Sequence, residues 1–309
     1  MVGDGVGELG RERADLPPHA AEVVEEPRPL RRQRREQLGE LEDVYGSIIV
    51  NVLPPYSAAR TEVLRLPGGE AGPDEIAVEE PLEIRVGGHP VAVTMRTPGH
   101  DEELALGFLR SEGIAAVAAG PTRDLAANVV EVEVEGGLDP ERLRRNFYTT
   151  SSCGVCGKGA LEAVAVEASR VESDLLVSAA LVSRLPERLR AAQPAFAATG
   201  GLHATGLFEP DGTLLVARED VGRHNAMDKV LGRAFLEGLL PLSGRILCVS
   251  GRLSFELVQK AAVAGCPLVV AVGAPSTLAV ELAQDRGITL CGFVRAGRIN
   301  VYTEPGRIA

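Results

Sequence analysis

Two cysteines at close spacing are the residues in this sequence best suited to chemistry. Cys153 and Cys156 lie within residues 149–158, among small and flexible neighbours. Residues 160–167 read as a short amphipathic helix, so the pair is expected on an exposed loop at a helix N-terminus. The helix dipole there favours thiolate over thiol, and the thiolate is the form that attacks sulfur or binds a metal ion. The spacing therefore predicts either sulfur chemistry or two of the ligands of a metal site.

A second candidate site comes from an alternation of helices and strands between residues 225 and 294. Such alternation is typical of a parallel sheet with helices on its faces, and ligands bind at the carboxyl ends of its strands. The loops expected there are residues 250–252, 273–276 and 293–298, which combine small residues with three arginines. That combination suits a diphosphate-bearing ligand. The alternative is that the glycines and serines are ordinary turn and cap residues.

A polar run at residues 218–229 joins a predicted strand to a predicted helix at the edge of the same cleft. If it is solvated, it is a simple loop. If it is partly buried, its charges must be paired, which would favour a functional site. His203 and His224 are candidates for ligand contact or proton transfer, and each is equally well explained as a structural residue.

Composition limits the classes of function. The chain has 309 residues, a net charge of -11 and five cysteines. An acidic chain lacks the excess of Lys and Arg that nucleic-acid binding requires, so we expect no such partner. No apolar run follows Met1, and none elsewhere approaches the roughly 20 residues that cross a bilayer. We therefore expect a cytoplasmic protein without a membrane partner. The cysteines do not form the pattern of an extracellular disulfide framework.

The elements that would position these residues follow from periodicity and turn signals. Ordered structure is expected to begin near residue 75. The predicted elements of the first half are a hairpin over 76–95, a helix from Asp101 and a strand over 130–134. Beyond the cysteines, a helix over 183–193, a strand over 194–198 and two strands joined by a turn at 209–212, around Leu207 and at 214–216, are predicted. The last part alternates helices over 225–239, 253–264 and 276–286 with strands over 245–250, 268–273 and 288–294.

The domain organisation predicted from these elements has four parts. Residues 1–58 form an extension that is expected to be disordered, because charged residues and proline dominate it. Residues 59–148 form a small α+β domain, and residues 149–176 form the cysteine loop with its short helix. Residues 177–309 form an α/β domain with a mixed, largely parallel sheet and helices on its faces.

Five motifs, in order along the chain, resemble those of the FdhD/NarQ family, the formate dehydrogenase accessory sulfurtransferases. They are EEPLEIRV at 79–86, TPGHDEELALGFL at 97–109, SSCGVCG at 151–157, TGGLHA at 199–204 and EDVGRHNAMDK at 219–229. The resemblance covers about residues 75 to 304 and implies a cytidine-deaminase-like C-terminal domain and a homodimer. Thr205 stands where a deaminase has its catalytic Glu, so deamination is not expected.

The resemblance also implies a function. Family members accept sulfur from a cysteine desulfurase as a cysteine persulfide. They pass it to the molybdenum of the bis(molybdopterin guanine dinucleotide) cofactor, which formate dehydrogenase requires. Cys153 matches the persulfide-bearing cysteine and Cys156 its partner. No metal ion of the protein's own is expected. The residues predicted to bind the cofactor, with its GDP-like moiety, are Phe293, Val294, Arg295, Ala296, Gly297, Arg298, His203, Arg223 and His224.

Three other classes remain open. A structural zinc site needs four ligands, of which Cys153 and Cys156 supply two, so other cysteines or histidines would have to complete it. A thioredoxin-like pair follows an apolar strand, whereas residues 144–150 are polar. The third class is a chaperone that holds the cofactor without transferring sulfur.

Overall fold

The computed structural model describes residues 57–123, 125–136, 166 and 168–309. The predicted disordered extension, apart from its last two residues, and the Cys153/Cys156 pair lie outside these residues, and so does almost all of the short helix predicted at 160–167. The described chain begins with an antiparallel hairpin of β1 (Ala58–Arg65) and β2 (Glu70–Ala77). The prediction that order begins near residue 75 is therefore wrong. Most side chains of this hairpin are exposed, so it lacks the apolar alternation by which strands are recognised.

A four-stranded sheet follows, built from β3 (Glu80–Val86), β4 (His89–Arg96), β5 (Ala116–Pro121) and β6 (Val129–Val134). The strand order is β4-β3-β6-β5, and only the β3–β6 pair is parallel. Helix α1 (Asp101–Ser111) packs its apolar stripe on this sheet. The predicted hairpin, helix and alternating strand are confirmed here.

Three short helices lead into the larger sheet: α2 (Ala179–Val182), α3 (Leu185–Ala191) and α4 (Pro194–Thr199). The helix predicted at 183–193 is confirmed in α3, but the strand predicted at 194–198 is wrong. Helix α4 is stabilised from outside its own sequence, because the Glu219 carboxylate accepts the backbone N–H of Ala195 at 3.0 Å and of Phe196 at 2.7 Å. An acidic cap at a helix N-terminus satisfies otherwise unpaired donors.

The larger sheet has six strands in the order β12-β11-β10-β9-β7-β8. Strands β9, β10 and β11 are parallel, whereas the pairs β11–β12, β7–β9 and β7–β8 are antiparallel. The predicted α/β class with a mixed sheet is confirmed, but the prediction that the sheet is largely parallel is wrong, because only two of the five strand pairs in this sheet are parallel. The strands are β7 (His203–Phe208), β8 (Leu214–Asp220), β9 (Ile246–Val249), β10 (Leu268–Ala271), β11 (Thr289–Arg295) and β12 (Arg298–Thr303).

Both faces of this sheet are buried. Helices α5 (Arg223–Leu236), α6 (Phe255–Val263) and α7 (Thr277–Arg286) cover one face, and α3 contributes to the core on the other. These three helices confirm the predicted alternation. The remaining cysteines, Cys248, Cys266 and Cys291, are buried, as expected of small hydrophobic residues.

The layer built on the four-stranded sheet and the layer built on the six-stranded sheet meet where α1 crosses α5. We call these the two layers. A Cβ atom at Gly107 would lie 1.9 Å from the Asp228 carbonyl oxygen, and one at Gly232 would lie 1.8 Å from the Glu103 carbonyl oxygen. Only glycine permits backbones to approach this closely. In the described part of the chain, no helix combines the length and the apolar character that a membrane crossing requires.

Candidate functional site

The three loops predicted at the carboxyl ends of the parallel strands are joined into one edge. The Gly273 N–H donates to the Gly251 carbonyl at 2.9 Å, and the Phe293 N–H donates to the Gly273 carbonyl at 3.0 Å. We call residues 250–252, 273–276 and 293–298 the rim. Carboxyl ends of parallel strands lie at the same edge of a sheet, and the three loops are neighbours there, as the sequence predicts.

His203 and Arg223 lie over the first of these loops. A Cβ atom added at Gly251 would lie 3.4 Å from His203 Nδ1 and 3.9 Å from Arg223 Cδ. His203 opens β7 and Arg223 opens α5, so two different elements bring these side chains to the rim. Burial, followed by the charge of Arg223, lowers the pKa of His203 below its ordinary value. The neutral imidazole is thereby favoured.

His224 is held by two residues that the sequence did not indicate. Its Nε2 atom lies 3.1 Å from the Ser254 hydroxyl and 3.7 Å from a Glu256 carboxylate oxygen. The interaction with His224 is the main reason why the pKa of Glu256 falls to about 2. Ser254 and Glu256 follow β9 at the start of α6, the position at which ligand-contacting residues of such sheets occur. Their place directly after a parallel strand is the one feature of the sequence that could have identified Ser254 and Glu256 as site residues.

Two helix N-termini at this edge make no side-chain capping bond. Gly222 precedes α5 and has no side chain with which to cap it. Ser254 precedes α6 and its hydroxyl does not cap that helix, whereas Ser276 caps α7 by accepting from the Ala279 N–H at 3.3 Å. The first turn of α5 has no acidic residue, and the buried Nε atom of Arg223 has no hydrogen-bond partner among the residues that the structure describes. The positive end of a helix dipole beside a cation favours an anionic ligand.

The segment predicted to bind the cofactor, residues 293–298, ends β11 and turns into β12. Phe293 is 44 % exposed and has a left-handed backbone with φ 52°. Arg295, Ala296, Gly297 and Arg298 are exposed as well. Val294 instead is buried in the core, so it can offer a ligand only its backbone. Within the rim, Phe293 is thus hydrogen-bonded to the Gly273 loop, and Arg295 and Arg298 are exposed on the turn that follows it.

The polar run at 218–229 is neither solvated nor a loop. It comprises the end of β8 and the start of α5, separated by two residues. The Arg218 guanidinium donates to both carboxylate oxygens of Glu103, at 2.6 and 2.9 Å. Lys229 Nζ lies 2.8 Å from an Asp220 carboxylate oxygen and donates to the Thr97 carbonyl at 2.8 Å. All these charged groups are buried.

A third buried pair links α5 to α6. Lys260 Nζ donates to Asp228 at 2.8 Å, and the Ser111 hydroxyl lies 3.2 Å from the same carboxylate oxygen. Burial raises the pKa of Asp228, although the Lys260 charge opposes that effect. Of the two alternatives for residues 218–229, burial with pairing is therefore confirmed. The pairs fix the start of α5, and with it Arg223 and His224, against α1 and α6.

The cysteine pair itself lies outside the described residues, but the chain that follows it has one informative contact. The Val166 N–H donates to the Gln259 side-chain oxygen at 3.1 Å. Gln259 lies on α6, three residues beyond Glu256, so one helix contacts both the His224 side chain and the chain after the cysteines. Among the described residues, no group of three or more His, Cys, Asp and Glu side chains could hold a metal ion.

Comparisons with known proteins agree on one family. A model of the FdhD/NarQ family matches residues 77–309. The chain is 51% identical to the sulfur carrier protein FdhD of Mycolicibacterium paratuberculosis, over 81% of this chain and 98% of that protein. It is also 51% identical to the protein of the same name from Streptomyces avermitilis, over 81% of this chain and 95% of the relative. A crystal structure from Desulfotalea psychrophila, assigned as a formate dehydrogenase accessory protein, matches with a TM-score of 0.64. It shares 28% identity and covers 82% of this chain and 98% of that one.

Proposed function

The chain belongs to the FdhD/NarQ family, and we propose that it is a sulfur carrier that serves formate dehydrogenase. The observation that carries this proposal is the 51% identity to a sulfur carrier protein over 98% of that protein's length. Likeness over the whole length makes a shared activity the simplest explanation. The cysteine pair supplies the chemistry that such a role requires.

We propose the following sulfur chemistry. The Cys153 thiolate attacks the outer sulfur of a persulfide on a cysteine desulfurase, so that Cys153 becomes a persulfide and the donor leaves as a thiolate. The Cys156 thiolate then attacks the inner sulfur of Cys153, which forms a disulfide and releases the outer sulfur as hydrosulfide for the molybdenum. A cellular dithiol reduces the disulfide before the next cycle. Cys153 is thus the carrier and Cys156 assists release.

The rim is the proposed binding site for the molybdenum cofactor, which is the substrate of sulfur transfer. Its bis(molybdopterin guanine dinucleotide) form carries pyrophosphates. Arg223, His203 and His224 lie beside the uncapped start of α5, and Arg295 and Arg298 add positive charge beyond Phe293. Guanidinium groups and helix N–H donors suit phosphate oxygens. The rim would hold the GDP-like end of the cofactor.

The proposed partners follow from this role. A cysteine desulfurase supplies sulfur, the catalytic subunit of formate dehydrogenase receives the finished cofactor, and the carrier acts as a homodimer. We propose the cytoplasm as its working compartment, because cysteine thiols stay reduced there.

A second candidate function is a chaperone that holds the cofactor without transferring sulfur. The observation in its favour is that the rim residues and the buried pairs behind them suit binding of an anion and need no thiol.

Complementation separates the two functions. A strain that lacks its own carrier receives the wild-type chain, Cys153→Ala or the neighbouring control Ser152→Ala, and formate dehydrogenase activity is assayed. Sulfur transfer predicts that Cys153→Ala abolishes activity and that Ser152→Ala retains it. Full activity with Cys153→Ala would refute sulfur transfer and favour the chaperone.

A further inference from the structure

Tyr302 is an exposed aromatic residue beside the rim, and it lies outside the residues predicted to bind the cofactor. A Cβ atom added at Gly292 would lie 3.0 Å from the Tyr302 ring and 2.9 Å from Pro275 Cδ. The same atom would lie 3.2 Å from the Gly273 carbonyl oxygen. The ring is therefore close both to the backbone of β11 and to the neighbouring rim loop. Tyr302 is nevertheless 38 % exposed, so part of its ring is open to solvent.

A β-bulge in strand β12 brings Tyr302 to this position. Where β11 and β12 pair, Leu290 lies opposite Thr303, and the next residue of β11, Cys291, lies opposite Val301. Tyr302 is therefore the extra residue of β12 and has no partner on β11. Bulges re-aim a side chain and occur frequently beside active sites. The direction of the Tyr302 ring is thus a feature of the strand itself.

The loop against which the Tyr302 ring lies is held in place. The Leu253 N–H donates to the Ala274 carbonyl at 3.0 Å, and the Ser276 N–H donates to the Leu253 carbonyl at 2.9 Å. These bonds tie the loop that contains Pro275 to the chain that follows Gly251. An aromatic ring that is already fixed loses little conformational entropy when a second ring stacks on it.

Tyr302 and Arg223 lie at opposite ends of the rim. Arg223 is beside Gly251, which follows β9, whereas Tyr302 is beside Gly292 on β11, and β10 lies between those two strands. Neighbouring strands are about 4.8 Å apart, so the two ends are separated by roughly 10 Å. A ribose separates the base of a nucleoside diphosphate from its phosphates. Such a ligand can therefore contact the aromatic end and the cationic end together.

We propose that Tyr302 is a platform on which the guanine base of the bound dinucleotide stacks, with the phosphates directed toward Arg223 and the uncapped start of α5. This inference rests on the proposed function, in which the rim binds the cofactor. Every nucleobase has a flat π-face, so stacking supplies affinity without distinguishing one base from another. The contact uses the ring of Tyr302 and does not require its hydroxyl.

Calorimetry of the full chain with GDP, and separately with inorganic pyrophosphate, tests the platform. Loss of a stacked base contact lowers affinity by about tenfold. We therefore expect Tyr302→Ala to weaken GDP binding to that extent and to leave pyrophosphate binding unchanged. Tyr302→Phe keeps the ring and should bind GDP as wild type does.

Val301→Ala is the matched control. Val301 is 37 % exposed, close to the value for Tyr302, but it lies opposite Cys291 and shares the face of the sheet on which Cys291 joins the core with α3. Its replacement should leave the affinities for GDP and for pyrophosphate as they are in wild type. Circular dichroism of each variant confirms that its fold is intact.

Three outcomes overturn the inference, and they are distinguishable. If Tyr302→Ala binds GDP as tightly as wild type, the base does not stack on Tyr302, while the cofactor site stands. If Tyr302→Ala loses affinity for GDP and for pyrophosphate equally, Tyr302 supports the structure of the rim and not the base. If wild type does not bind GDP, the placement of the cofactor at the rim is wrong and the platform falls with it, whereas sulfur loading of Cys153 is measured independently.

Discussion

Replacing Gly232 with alanine tests the contact between the two layers. Alanine in the middle of a helix normally stabilises a protein by about 1 kcal/mol relative to glycine. Here the new Cβ atom would lie 1.8 Å from the carbonyl oxygen of Glu103, which belongs to the backbone of α1. A backbone atom cannot rotate away as a side chain can, so α1 and α5 must move apart. Gly232→Ala is therefore expected to destabilise the protein instead of stabilising it.

The magnitude follows from what the separation disturbs. Overpacking costs about 1–3 kcal/mol, and loss of a buried ion pair costs about 3–5 kcal/mol. The Arg218–Glu103 and Lys229–Asp220 pairs both lie behind this crossing. We expect Gly232→Ala to lower the free energy of unfolding by about 3 kcal/mol. For a domain of this size that corresponds to a fall in Tm of about 6 to 12 °C.

Thermal unfolding followed by circular dichroism measures the effect. Gly244→Ala is the matched control, because a Cβ atom at Gly244 would meet nothing within 4 Å, and its stability is expected to remain within about 0.5 kcal/mol of wild type. GDP affinity should also fall in Gly232→Ala, since α5 carries Arg223 and His224. A Gly232→Ala variant as stable as wild type, or more stable, would refute the close crossing of the helices.

Three further predictions concern other parts of the chain. Burial lowers the pKa of His100 to about 4, so the unfolded chain binds a proton at this residue at a higher pH than the folded protein does. The stability of the folded protein is therefore complete above about pH 6.5 and falls as the pH falls toward 4. Urea titrations should show that His100→Asn loses less stability than wild type over that range. Burial raises the thiol pKa of Cys266 and Cys291 to about 12 and also raises that of Cys248, so mass spectrometry should find all three unmodified after iodoacetamide treatment of the native protein, and rapid labelling would contradict their burial. Gln259→Ala removes a hydrogen bond worth about 1 kcal/mol to the chain after the cysteines; it should weaken formate dehydrogenase activation without changing GDP affinity by calorimetry, and an equal loss of both would contradict the separation of the two sites.

The sequence predicts the larger sheet well because short apolar runs, typical of buried strands, alternate along the chain with segments that have the apolar periodicity of helices. The loop that contains Gly251 could be placed from strand order alone, since carboxyl ends of parallel strands share one edge. The β1–β2 hairpin could not be found in this way, because its side chains are mostly exposed and its stability depends on backbone pairing.

Features that depend on distant contacts were beyond sequence reasoning. Helix α4 looked like a strand because the carboxylate that caps it, Glu219, follows 24 residues after Ala195. Whether residues 218–229 are solvated or buried was undecided, since their partners Glu103 and Thr97 come from another layer. Ser254 resembles an ordinary helix cap until its contact with His224 is seen.

The most direct test of sulfur transfer is mass spectrometry of the chain after incubation with a cysteine desulfurase and cysteine. We predict that one sulfur atom is added to the peptide that contains Cys153, that a reducing agent removes it, and that Cys156→Ala still acquires it. Cys153→Ala should acquire none. Wild-type protein that gains no sulfur, or a Cys153→Ala variant that gains as much as wild type, would contradict the proposed role of Cys153 as the carrier.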